Sequence, residues 1–247
     1  MEKSNQMGTN RTGIHMSPID VKQMQQDAGN LAALQDTQVE TGSEFDAVEI
    51  RMRYIREADR IGSVPPPGTV KGAMKTGMQK LSGKNPEVLI DKLGERLAFE
   101  RSGTRLYEAM IVKCRAAAKE GQVNVSIDQL LHIHAEEAKH FKMLSDVLLQ
   151  LGADPTAETP CANVAGVAAS GIMKVVMEPR TTIAQCLDAV LTAELVDNAA
   201  WELLIQLANE MGQDEMVAKF REALSEEEEH LAIITQLLQD AVLADAT

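Results

Sequence analysis

Two short stretches of this sequence place a glutamate and a histidine three residues apart, Glu137 with His140 and Glu227 with His230. In an α-helix, residues at this spacing lie on one face, so each pair can offer a carboxylate and an imidazole to one metal ion. A single pair in a glutamate-rich chain would more simply indicate a solvated, charged helix face. Two pairs with the same spacing justify a search for further ligands.

Two more glutamates complete the pattern. Residues spaced alternately by three and four along four helical stretches form mainly apolar seams, as in the cores of helical bundles. A carboxylate interrupts each seam near its middle. In a dry core each unpaired carboxylate would cost of the order of several kcal/mol, whereas two divalent cations would balance four of them. The seams therefore predict a six-ligand, two-metal cage made of Glu100, Glu137, His140, Glu194, Glu227 and His230.

The donor types limit the choice of metal. Mixed carboxylate oxygen and imidazole nitrogen ligation favours iron or manganese over calcium, and zinc is also compatible. We expect two metal ions per chain, with iron as the first choice and manganese or zinc as alternatives.

The spacing also shows an internal repeat. Glu100 and Glu137 are 37 residues apart, Glu194 and Glu227 are 33 apart, and an aromatic residue follows the first glutamate of each pair by seven residues. One two-helix unit is used twice.

Helix start and stop signals place these residues on four long helices. Asn85-Pro86-Glu87 is a typical helix start, and Ser126 can cap a second helix. Glycines end the predicted helices at Gly152 and Gly212. The sequence predicts an all-α fold, a four-helix bundle with helices over 85–119, 126–151, 182–211 and 213–243, and a crossover with a short helix near 162–177.

The first 84 residues differ in character from the rest. They predict a polar, disordered start, a weak helix over 19–35, an amphipathic helix over 44–61 and a polyproline spacer at 62–68. At most a short helix follows before residue 85. The expected organisation is an N-terminal extension, 1–84, and a bundle domain, 85–247.

Composition excludes several classes of function. A net charge of −13 argues against nucleic-acid binding, which requires cationic side chains. The apolar run at 162–177 is too short to span a bilayer and contains Lys174, so no membrane association is predicted. The N-terminus has no apolar segment of a signal peptide. The three cysteines form no C-x-x-C pair, which indicates a reduced, cytoplasmic location and excludes a thiolate iron site.

The chain resembles the ferritin-like superfamily over 85–245, especially bacterioferritin and rubrerythrin. The resemblance rests on E-x6-Y from Glu100 to Tyr107, E-A-K-H at 137–140, Glu194, and E-E-E-H at 227–230. It implies that Glu137 and Glu227 bridge two metals, that Glu100 and Glu194 are terminal ligands, and that each histidine binds one metal. It also places Tyr107 beside the site. Three roles stay open for this residue: a redox-active catalytic residue, a hydrogen-bond donor to a ligand, or a tyrosine that only packs in the core. Asp197 stands where rubrerythrin has an additional glutamate, so it is a further candidate ligand.

The resemblance implies a non-heme di-iron oxidoreductase that reacts with O₂ or H₂O₂, as a ferroxidase or a rubrerythrin-like peroxidase. Fe²⁺ and an electron donor of unknown identity would be its partners, and a homo-oligomer, a dimer or larger, is expected. The rubredoxin module of rubrerythrin is absent. Four alternatives remain open: an iron-sequestering protein, a ferritin-like hydroxylase, a manganese catalase, and a structural bundle without turnover.

We expect simpler roles for the neighbours of the predicted ligands. Trp201 is expected to pack in the core, and His132 and His134 to lie on the helix surface. The acidic residues next to the ligands are interpreted as a solvated face, namely Glu136, Glu226, Glu228 and Glu229.

Overall fold

A computed structural model describes residues 18–34, 44–66, 68, 85–119 and 125–246. All regular elements in these ranges are α-helices, which confirms the predicted all-α class. They are α1 Pro18–Leu34, α2 Glu44–Glu57, α3 Pro86–Lys119, α4 Ile127–Leu151, α5 Pro160–Met177, α6 Ile183–Glu210 and α7 Asp214–Ala246.

The chain divides into two compact units, Met1–Asp59 and Arg60–Thr247. The domain boundary at residue 84 stays a prediction. The first unit contains α1 and α2. Three apolar residues of the predicted amphipathic helix, Val48, Met52 and Ile55 of α2, are exposed. The short helix considered before residue 85 lies outside the described residues.

The second unit is a four-helix bundle. Helices α3 and α4 pack as one hairpin, and α6 and α7 pack as another. The hairpins meet where α3 contacts α6 and where α4 contacts α7. Each hairpin is one copy of the two-helix unit seen in the sequence.

Local capping explains where the bundle helices begin and end. The Ser126 hydroxyl accepts a hydrogen bond from the Gln129 backbone N–H at the start of α4. At the end of α4, Gly152 has a φ of 81°, which suits glycine. Thr182 and Gln185 form a capping box that starts α6.

The crossover helix α5 packs against α3 and α6. A Cβ atom at Gly94 would lie 2.7 Å from the Thr159 hydroxyl, so the glycine permits the start of α5 to approach α3 closely. At the other end, the Lys113 ammonium donates to the Glu178 carbonyl at 2.6 Å, to the Val176 carbonyl and to the Thr181 hydroxyl. A cation at this position also complements the helix dipole.

Helix α5 is long and apolar enough to cross a membrane by length and composition, contrary to the prediction that this stretch is too short. Only Val176 of this helix is buried. Length and composition are weak evidence for a membrane span, because core helices of soluble proteins also meet these criteria.

The bundle core consists of two apolar clusters. One contains the start of α3 and the end of α4, including Leu93, Leu144 and Phe220 of α7. The other contains the later part of α3 and the start of α4 and α6, including Met110 and Leu187. The buried charged residues of the four helices lie between the clusters in sequence, which places a polar layer inside a dry core.

Candidate metal centre

The polar layer contains the six predicted ligands. Each is at most 2% exposed. Their donor atoms form overlapping groups in which all atoms lie within 4.8 Å of one another. These groups are Glu137, Glu194, Glu227 and His230; Glu100, His140 and Glu227; and Glu100, Glu137, Asp197 and Glu227.

Glu227 occupies the centre of the cluster. Its Oε1 lies 2.7 Å from Nδ1 of His140, and its Oε2 lies 3.1 Å from Nδ1 of His230. Its two oxygens therefore face different histidines, as a carboxylate shared between two cations would. Glu194 lies on the His230 side, and Glu100 on the His140 side.

Gly103 makes room for a second central carboxylate. A Cβ atom at this position would lie 2.1 Å from Oε2 of Glu137, which is closer than any non-bonded contact allows. Because Gly103 has no side chain, the Glu137 carboxylate from α4 can occupy the space beside α3. This position was not identified from the sequence, although it lies three residues after Glu100 on the same helix face.

A glutamate of the facing helix contacts the Nε2 atom of each histidine ring, on the opposite side of the ring from Nδ1. His140 Nε2 lies 2.7 Å from Glu226, and His230 Nε2 lies 2.9 Å from Glu136. The interpretation of these two glutamates as a solvated face was therefore wrong. A carboxylate at one ring nitrogen keeps the proton there and leaves Nδ1 as the ligand atom. Both glutamates directly precede a ligand glutamate, a symmetry that was visible in the sequence.

The other neighbours of the predicted ligands lie at or near the surface. Glu228 and Glu229 are exposed. His132 is largely exposed and lies 3.3 Å from Glu136. His134 is half-buried rather than on the surface, and its Nε2 lies 3.5 Å from Glu108.

Tyr107 and Trp201 are fully buried next to the polar layer. The Tyr107 hydroxyl donates a hydrogen bond of 2.5 Å to Oε1 of Glu194. Burial, followed by the charge of Glu194, raises the pKa of Tyr107 well above its ordinary value, so the phenol keeps its proton. Trp201 packs edge-on against His140 and at a tilted angle against Phe220, in keeping with the packing role expected for it.

Asn198 joins the two hairpin helices at the ligands. Its side-chain amide donates to the backbone carbonyls of Glu194 and Glu227, each at 3.0 Å. It connects α6 and α7 at the positions where each carries a predicted ligand. Sequence spacing alone gave no signal for this role.

Arg96 and Asp197 complete the layer. Arg96 is 2% exposed, and its guanidinium lies 3.0 Å from Glu100 and 3.1 Å from Asp197. Asp197 thus contacts the cationic side chain of Arg96 as well as the carboxylate cluster. The sequence did not identify Arg96, because the predicted apolar seam of this helix contains Leu93, Leu97 and Glu100 and leaves out residue 96.

The carboxylates of the layer are unfavourable as anions when no metal is bound. Burial, followed by repulsion from Asp197, raises the pKa of Glu100 to about 8. Burial and the charge of Glu227 raise the pKa of Glu194 to about 8 as well. The pKa of Glu137 is raised well above its ordinary value by burial and by Glu100. These acids hold protons that a bound cation would displace.

Glu227 behaves differently from the other acids. Burial favours its protonated form, but the two adjacent imidazoles outweigh this effect and lower its pKa to about 2. For His230, burial lowers the pKa, but the bond to Glu227 outweighs it and the pKa rises to about 9. In the metal-free protein at neutral pH, the protonated imidazole of His230 therefore balances the charge of the central carboxylate.

The donor set fits metal ions. Several buried acceptor atoms have no hydrogen-bond donor, among them Oε2 of Glu100, Oε2 of Glu137 and Oε2 of Glu194. Buried acceptors without donors are rare in proteins and call for an explanation such as an ion. Cations would satisfy all of them at once.

The fold and the site define an all-helical bundle with a buried carboxylate and histidine cluster that could hold a metal ion. The chain belongs to the family described as Domain of unknown function (DUF892), whose profile matches residues 84–247. The comparisons with curated proteins and with solved structures give no match.

Proposed function

We propose that this protein is a non-heme di-iron oxidoreductase of the ferritin-like kind that reacts with O₂ or H₂O₂. Six residues would hold two ions: Glu137 and Glu227 between them, Glu100 and His140 on one side, and Glu194 and His230 on the other. The observation that carries the proposal is the group of buried carboxylate oxygens without donors, arranged around Glu227 with a histidine on either side.

Charge balance supports two ions rather than one. Four ligand glutamates and Asp197 bring five negative charges, and Arg96 brings one positive charge. One divalent cation would leave two negative charges in a buried layer, whereas two divalent cations neutralise it. The uncompensated charge would carry a penalty of the order of several kcal/mol.

When bound, two Fe²⁺ ions supply the two electrons that reduce H₂O₂ to water or O₂ to H₂O₂. The residues of the chain fix the geometry and the proton positions. Glu136 and Glu226 hold the imidazoles with Nδ1 towards the cluster. The Tyr107 hydroxyl donates to Glu194 and gives that carboxylate a fixed orientation. The two apolar clusters on either side exclude water.

The first experiment is metal analysis of the purified chain, followed by anaerobic loading with Fe²⁺ and measurement of O₂ and H₂O₂ consumption. Two ions per chain and oxidant consumption at a fixed ratio to iron are expected. Iron uptake far beyond two ions would instead indicate storage, and binding without any oxidant consumption would contradict the enzymatic proposal.

A matched pair of variants tests the site itself. Glu227→Gln removes the central carboxylate charge and is expected to lower the metal content to less than half. Glu228→Gln makes the same change at the adjacent exposed position and should leave two ions bound. Equal metal content in both variants would show that the cluster is not the metal site.

A further inference from the structure

The polar layer contains a permanent positive charge in addition to its acids. Arg96 is buried, and its guanidinium lies 4.2 Å from the centre of the Phe99 ring. A guanidinium cannot release its proton in a protein. It therefore acts on any bound cation whatever the pH.

This charge is placed on one side only. Arg96 contacts Glu100, which lies beside His140. The opposite side, with Glu194 and His230, is faced by the neutral hydroxyl of Tyr107. The twofold pattern of the ligands is thus broken by the residues that surround them.

Asp197 compensates for the arginine. Its Oδ1 lies 3.1 Å from Nη1 of Arg96, and it also falls within 4.8 Å of donor atoms from Glu100, Glu137 and Glu227. The shorter aspartate contacts the guanidinium, so its charge is shared between the arginine and the cluster.

We propose that Arg96 and Asp197 form a positioning pair that makes the two metal positions unequal. The ion among Glu137, Glu194, Glu227 and His230 binds first and more tightly. The ion beside Glu100 and His140 binds second and more weakly, because Arg96 repels it and Asp197 serves mainly as the counter-ion of Arg96. This inference rests on the proposed two-metal centre.

Single substitutions of the pair should shift the second binding step in opposite directions. Arg96→Met removes the repelling charge and releases Asp197, so the second dissociation constant should fall by at least about tenfold. Asp197→Asn leaves Arg96 uncompensated, so this constant should rise by at least about tenfold. Neighbouring charges at such distances shift proton affinities by about 1–3 log units, and a divalent ion carries twice the charge.

The double variant Arg96→Met/Asp197→Asn should return close to the wild-type value, within about threefold, because both charges are then absent. A cycle of this kind isolates the coupling between two neighbouring residues. Arg96→Lys keeps the charge and should preserve two unequal steps. Arg101→Met removes an exposed arginine of the same helix and is the control for a general loss of charge.

The measurement is titration calorimetry of the metal-free full-length chain with Mn²⁺ under anaerobic conditions, with Co²⁺ absorption spectra as a second readout. Two unequal steps, shifted oppositely by Arg96→Met and Asp197→Asn, support the inference. Two equal steps in the wild type, or shifts no larger than that of Arg101→Met, overturn it while leaving the two-metal centre intact. A wild-type chain that binds no ion overturns the proposed function instead.

Circular dichroism checks that each variant folds. If Arg96→Met does not fold, Asp197→Asn and Arg96→Lys decide the question. A weaker second binding step in Asp197→Asn, together with two unequal binding steps in Arg96→Lys, supports the inference. Any other combination overturns it.

Discussion

At the scale of single residues, the site depends on a residue without a side chain as well as on the residues that carry donor atoms. Gly103 contributes no donor atom, yet the Glu137 carboxylate lies where its side chain would be. Glutamate and histidine types in a fixed spacing can be recognised in a sequence because the spacing has a chemical meaning. A glycine inside a helix has no such meaning until the neighbouring helix is placed beside it, so the sequence could not predict this contact.

Replacing Gly103 tests this packing directly. Gly103→Ala should displace the Glu137 carboxylate and lower the number of bound ions per chain by at least half. The measurement is elemental analysis after dialysis against a fixed free Mn²⁺ concentration. Ser102→Ala, a half-buried neighbouring position outside the cluster, is the control. Unchanged metal content in Gly103→Ala would mean that Glu137 is free to move without loss of binding.

At the scale of the helices, caps and periodicity predicted most of the bundle. Ser126 and the glycines after α4 and α6 mark boundaries that depend only on local hydrogen bonding, and the structure has helix ends within one or two residues of them. The predicted start of α6 near residue 182 also agrees with the structure. The apolar seams, whose pattern repeats every seven residues, predicted which face of each helix is buried. The contacts of Arg96, Glu136 and Glu226 reach across to other helices, and local signals do not determine them.

The crossover helix α5 is fastened at its end by one lysine. Lys113→Met should leave the Glu178 and Val176 carbonyls without their donor and lower the free energy of unfolding by about 1–3 kcal/mol. Metal content should stay at the wild-type value, because Lys113 contacts no ligand in the described part of the chain.

Urea unfolding curves give this free energy, and Lys219→Met at an exposed position of α7 is the matched control. A loss of stability no larger than that of the control would show that the end of α5 is held by other contacts.

At the scale of the whole molecule, the buried acids link stability to pH. Glu100 and Glu194 have pKa values of about 8 in the folded metal-free chain against an ordinary value of 4.5. Between these values the folded chain binds more protons than the unfolded chain, so stability falls as pH rises. His230, raised to about 9 from 6.5, acts in the same direction. Glu227, lowered to about 2, is ionised in both states above pH 4.5 and contributes no slope there.

We expect the melting temperature of the metal-free chain to fall by several degrees between pH 5.5 and pH 8.5. About 1 kcal/mol corresponds to roughly 2–4 °C for a chain of this size. With Mn²⁺ bound, the carboxylates are ionised and this fall should disappear. The variant Glu100→Gln/Glu194→Gln should have a flatter profile without metal. A melting temperature that rises with pH in the metal-free wild type would contradict the placement of these acids in a dry layer.

Each helical hairpin contributes half of the ligands, which has a consequence for newly synthesised chains. In the proposed two-metal centre neither hairpin supplies the full donor set, so docking of the two halves and binding of the ions would be thermodynamically one event. Chains synthesised when the metal is scarce would keep protonated carboxylates in a less stable bundle. Such chains would unfold locally more often and would be cleaved by proteases more often. The amount of this protein in a cell would then follow the metal supply through degradation, without any change in transcription.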